Sequence, residues 1–155
     1  MRDVLFQLKY YGNQRIGTFL GRCMAKELSA SGFFEGIDGI VPVPLHYKKR
    51  KERGYNQSEL LAEGISSVVG IPVLKDVLLR RQYTETQTRK SNYERWNNVL
   101  DVFESVSLER LSNKHVLLVD DVLTTGATLV ACADAFRGVE GIRISVLTLA
   151  WAAES

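Results

Sequence analysis

Residues 116–128 read Val-Leu-Leu-Val-Asp-Asp-Val-Leu-Thr-Thr-Gly-Ala-Thr. Four consecutive apolar residues, Val116 to Val119, predict a strand buried on both faces, the pattern of a parallel sheet covered by helices. Asp120 and Asp121 are then expected at its carboxyl end. Thr124, Thr125 and Gly126 turn the backbone before an apolar, helix-spaced stretch, and the free amides at a helix start form an anion site. Two carboxylates able to accept from hydroxyls, beside a phosphate cradle, point to a sugar phosphate. An acidic pair after a strand and a Thr-Gly turn are each common alone. The whole string in this order carries the reading.

Strands and helices alternate on either side of this string. Ile16, Phe19, Leu20, Cys23, Met24 and Leu28 keep the spacing of one helix face, ending near Gly32. Ile40 to Val43 predicts a short strand that runs into a basic loop holding Lys48, Lys49, Arg50, Lys51 and Arg53. Asn56 caps a helix with apolar positions Leu60, Leu61, Ile65, Val68 and Val69, stopped by Gly70 to Pro72. Val73 to Leu79 predicts a strand, Arg80 to Lys90 a mobile polar loop, and Ser91 with Glu94 a capped short helix. Weaker strand patterns cover 99–103 and 106–108. Leu129, Ala133 and Phe136 predict a crossover helix, and Ile142 to Ala150 a final strand. Right-handed crossovers then give an α/β fold, an open, mostly parallel sheet with helices on both faces. Such sheets bind ligands outside the strand carboxyl ends.

At 155 residues the chain reads as a single domain over 1–155, without repeats or linkers. Its 45% apolar and 25% charged content is that of an ordinary globule, and a net charge of +2 does not predict nucleic acid as a direct ligand. No apolar run approaches the roughly 20 residues of a membrane span, and the first residues lack a signal peptide's pattern, so a cytoplasmic location is expected. Cys23 and Cys132 fall on apolar helix positions and read as core residues. Neither a disulfide nor a zinc site is expected of them.

The string 116–128 resembles the phosphoribosyl diphosphate (PRPP) motif of type I phosphoribosyltransferases. That resemblance implies their Rossmann-like fold, assigns Asp120 and Asp121 to the ribose hydroxyls, and assigns Thr124, Thr125, Gly126, Ala127 and Thr128 to the 5-phosphate. Val-Pro-Val-Pro-Leu-His at 41–46 and Arg-Gly-Tyr-Asn-Gln at 53–57 narrow it further, being similar to the competence protein F-like members. Leu8 to Gly12 and Gln87 to Val99 also resemble that group, although Arg89, Lys90 and Asn92 depart from its pattern. Members commonly carry an N-terminal cysteine-rich zinc module, which this sequence does not contain, so it reads either as a short member or as one from which that module has been trimmed.

The implied function is Mg2+-dependent transfer of a 5-phosphoribosyl group from PRPP to a small-molecule base or amine, releasing pyrophosphate. Asp120 and Asp121 would be the catalytic and metal-orienting pair, since carboxylates suit both hydroxyl recognition and a cationic ribose ring. The loop holding Pro44, Leu45, His46, Lys48 and Arg53 would take the pyrophosphate. Arg89 and Lys90 would contact phosphate from a closing loop that a neighbouring subunit supports, which implies a homodimer. Thr124 stands where the hypoxanthine-guanine salvage enzymes carry an aspartate, and it accepts no proton at neutral pH, which argues against a 6-oxopurine acceptor. The alternative is a non-catalytic PRPP or nucleotide sensor acting in DNA uptake.

Overall fold

The computed structural model describes residues 14–80 and 103–152. Helix α1 spans Gln14–Ser29, strand β1 Gly39–Pro42, helix α2 Tyr47–Arg53 and helix α3 Gln57–Val69. Strands β2 (Leu78–Arg80) and β3 (Phe103–Ser105) precede a single 3-10 turn, Leu108–Arg110. Strand β4 (His115–Leu123), helix α4 (Ala127–Asp134) and strand β5 (Arg143–Trp151) complete the order.

Strands β1, β4 and β5 form one parallel sheet with β4 in the middle, and β2 pairs with β3 as a separate antiparallel ribbon. Val116 to Val119 are fully buried because both faces of β4 are covered. On one side Leu117 and Val119 pack with Ala25 of α1 and Leu61, Ala62 and Ile65 of α3. On the other, Val116 and Leu118 pack with Leu129, Cys132 and Phe136 around α4 and with Leu78 and Phe103 of the ribbon. The expected α/β architecture, a parallel sheet with helices on both faces, is therefore what the chain adopts. Among the described residues no helix is long and apolar enough to cross a membrane.

Several local expectations are corrected. In α1 the buried stripe is Gly17, Gly21 and Ala25, while Phe19 is 62% exposed and Cys23 also faces outward. Close packing decides this: a β-carbon at Gly21 would strike the Leu61 carbonyl, and one at Gly64 would strike that of Thr18. Two glycines let α1 and α3 cross backbone to backbone, which turns Phe19 and Cys23 outward while Leu20 and Met24 still pack against the core as expected. Cys132, by contrast, is buried as expected.

The basic loop is instead a short helix, α2, capped by His46, whose Nδ1 accepts from Lys48 N at 3.3 Å, and closed by the left-handed Gly54. The predicted strand 73–79 divides. Val73 makes one parallel bridge to Ile40, Lys75 and Asp76 turn, and pairing resumes only at Leu78. The turn is tied by Lys75 to Glu63 and by Arg110 to Asp76. Residues 106–108 are not a strand; Ser107 takes a left-handed φ of 56° ahead of the 3-10 turn. The expectations on 81–102, including Arg89, Lys90 and the Ser91 cap, and on 8–12 lie outside the described residues.

Candidate functional site

Strand β4 outruns its neighbour on one side. β1 ends at Pro42, which pairs with Val119, whereas β4 stays paired with β5 through Leu123 and Trp151. Asp120 and Asp121 therefore lie within β4 rather than just past it, beyond the point where β1 leaves. A parallel sheet sends both chain exits to the same edge. Val43 N still bonds Val119 O at 2.9 Å, so Pro44, Leu45 and His46 depart beside the acidic pair.

The Asp120 carboxylate is held by specific donors. Its Oδ1 accepts from Ser58 Oγ at 3.0 Å and from Asp121 N at 2.9 Å. Ser58 belongs to a buried polar run, Asn56, Gln57 and Ser58, that begins α3. Asn56 caps the helix as its sequence position predicts: Oδ1 accepts from Ser58 N at 3.1 Å, and Nδ2 donates to Val43 O at 3.0 Å. A buried asparagine thus fastens the start of α3 to the exit of β1.

Beyond Leu123 the chain turns through Thr124, Thr125 and Gly126 into α4. Gly126, the residue preceding α4, has φ 81°, a left-handed conformation that glycine adopts at no steric cost. Thr125 Oγ1 accepts from Ala127 N at 3.3 Å. Thr124, Thr125, Ala127 and Thr128 are exposed and Gly126 half-buried, so hydroxyls and helix-start amides share one open turn next to the acids. The five residues assigned to a phosphate cradle and the two acids are brought together. Lys48 is exposed on α2, and Arg53 is half-buried at its end.

Charge is arranged asymmetrically around this edge. His46 is held below its ordinary pKa first by burial, then by the positive charges of Arg80, Lys48 and Lys49. The Cys132 thiol, behind the site on α4, is pushed up to about 12 by burial, with the negative charge of Asp120 adding to the effect and Arg80 opposing it. Arg80 is thus felt both by the cap of α2 and by the residue behind Asp120. Its guanidinium carbon lies 5.3 Å from the Phe103 ring centroid, and its buried Nε has no hydrogen-bond partner among the described residues.

Sequence reading missed two residues here. Arg80 stood as the first member of a polar loop, and nothing distinguished it from Arg81 beside it. Ser58 is an ordinary helix-start serine until the fold brings it to a strand 62 positions away. Tyr55, between the end of α2 and the cap of α3, is buried in the core.

Residues 56–154 match the phosphoribosyl transferase domain. The chain belongs to the phosphoribosyltransferase domain family. Within it, the chain is 38% identical over 110 residues to competence protein F of Haemophilus influenzae, covering 69% of this chain and 48% of that protein. It is 31% identical over 137 residues to the DNA utilization protein YhgH of Escherichia coli, covering 86% of this chain and 59% of that protein. The chain spans about half the length of these curated relatives. Among solved structures, a glutamine PRPP amidotransferase from B. subtilis, complexed with ADP and GMP, superposes with a TM-score of 0.60 at 22% identity. That match covers 86% of this chain and 26% of the other, and it shows a shared phosphoribosyltransferase fold.

Proposed function

We propose that the edge where β1 and β4 end binds PRPP with Mg2+ and that the chain transfers its phosphoribosyl group to a small nitrogen acceptor. The observation that carries this is the adjacency of an acidic pair, Asp120 with its carboxylate held by two donors and Asp121 beside it, to the open Gly126 turn at the start of α4. Asp120 and Asp121 accept hydrogen bonds from the vicinal ribose hydroxyls, each charge-assisted bond contributing roughly 1.5 to 3 kcal/mol. Thr124, Thr125 and Thr128, with the amides of Gly126 and Ala127, take the 5-phosphate. The pyrophosphate faces the exit of β1, where His46, Lys48, Arg53 and Arg80 supply donors and positive charge. Arg89 and Lys90 are proposed as further phosphate contacts.

In the reaction the C1–oxygen bond breaks and its electron pair leaves on pyrophosphate. The acceptor's nitrogen lone pair forms the new bond to C1, and the acceptor's proton is lost to solvent or to the departing group. Positive charge gathers on the ribose ring, which the two carboxylates oppose. Among the described residues no cluster of three or more His, Cys, Asp or Glu could hold a metal alone. Two adjacent carboxylates fit an Mg2+ that arrives on substrate phosphates and keeps its waters. When bound, that ion neutralises the leaving group. A cytoplasmic homodimer is part of this reading.

The second reading, a non-catalytic PRPP sensor linked to DNA uptake, draws on the names of the two relatives above. Pyrophosphate release separates the two. Incubating the chain with Mg2+, PRPP and single bases or amines should release pyrophosphate for at least one acceptor; PRPP retained intact throughout, with binding preserved, assigns the sensor.

A further inference from the structure

An aspartate that reads a sugar hydroxyl needs a fixed carboxylate plane, because a freely rotating one loses much of the directionality of its hydrogen bonds. Two donors converge on Asp120 Oδ1: the Asp121 amide from its own backbone and the Ser58 hydroxyl from α3. The first is local to the strand, whereas the second depends on tertiary structure. Ser58 is buried to 3% exposure, and its amide is held by Asn56 Oδ1, while Asn56 Nδ2 holds Val43 O. A continuous series of hydrogen bonds therefore runs from the exit of β1, through the cap of α3, to the acid on β4. The glycine crossing holds that helix close against α1.

We infer that Ser58 is a positioning residue: its hydroxyl orients the Asp120 carboxylate toward the ribose and couples that acid to the loop leaving β1. This rests on the PRPP reading above. Ser58 itself contacts no reacting atom.

The test is a double-mutant cycle on Mg2+-PRPP affinity, measured by calorimetry for the unmodified chain, Ser58→Ala, Asp120→Ala and the double variant, with a thermal melt of each. A positioning residue predicts that Ser58→Ala weakens binding roughly tenfold, in keeping with a hydrogen bond to a charged group. It also predicts that the same change does nothing further once Asp120 is alanine. Equal losses in both backgrounds would mean that Ser58 only supports the helix, and unchanged affinity in Ser58→Ala alone would mean that it supports nothing at the site. Either result overturns the assignment while leaving PRPP binding intact. Absence of binding by the unmodified chain overturns both readings together.

Discussion

The two ends of β4 use similar residues in different ways. At the amino end polar groups satisfy one another across strands: Asp38 N donates to His115 O and His115 N donates to Asp38 Oδ2, both at 2.8 Å, while His115 Nε2 lies 2.8 Å from Ser145 Oγ. Lys114 approaches Asp38 at 3.9 Å. At the carboxyl end the Asp120 carboxylate accepts from Ser58, the threonines of the turn 124–128 are exposed, and two buried donors, Gln57 Nε2 and Arg80 Nε, have no partner among the described residues. Buried donors without partners cost free energy and are rare in native proteins. One end of the strand is finished by its own neighbours, and the other leaves two buried donors without partners among the described residues, the capacity that the proposed PRPP site would use.

The largest contrast is in thiol reactivity. Cys132 is buried and its thiol is pushed up to about 12, mainly by burial, so it holds its proton more tightly than an ordinary thiol and forms little thiolate at neutral pH. A thiol reagent should modify exposed Cys23 first and reach Cys132 only on unfolding. The sign for stability follows: the folded state holds the Cys132 proton more tightly, so its contribution is full below pH 9 and is lost as pH rises toward 12. Rapid double labelling of the folded chain would show that the wall behind Asp120 is open.

Next comes Gly126→Val. A β-branched side chain at φ 81° forces the turn to change, at a cost of about 1 to 3 kcal/mol in stability, and it crowds the helix-start amides. Affinity for Mg2+-PRPP should fall on the order of a hundredfold, as calorimetry will report. Wild-type affinity in a folded variant would remove the turn from the site.

Arg80→Met keeps apolar contact with Phe103 and deletes the unpartnered donor. Melting temperature should hold or rise, while PRPP affinity should drop roughly tenfold. Loss of stability without loss of binding would place Arg80 with the scaffold.

The smallest effect belongs to the amino end. Asp38→Ala removes an acceptor for one backbone amide and should cost about 1 kcal/mol in denaturant unfolding, with PRPP affinity unchanged. A change in affinity would break the division between the two ends.

What could be read from sequence follows the range of the forces involved. The apolar run 116–119, the Asn56 cap and the Gly126 turn are local signals, and each appears in the structure with the predicted role in the fold. The orientation of α1 was not legible, because it depends on Gly21 meeting Gly64 across 43 positions, a contact invisible to a hydrophobic pattern that favours Phe19 and Cys23. The helical state of 47–53 was masked by its charge, since Lys and Arg are good helix formers but carry no apolar period. The acidic pair and the turn that follows it could be read together from sequence because they are contiguous. Arg80 and Ser58 could not, because the first enters through a ribbon with 22 residues between its strands and the second through a bond between α3 and β4.

The most direct measurement is calorimetry of Mg2+-PRPP against the unmodified chain and the Asp120→Asn/Asp121→Asn variant, with circular dichroism to verify that the variant is folded. Saturable binding that needs Mg2+ and is lost in the folded double variant is the expected result. Binding that survives both substitutions, or no binding by the unmodified chain, would contradict the assignment of this edge of the sheet to PRPP.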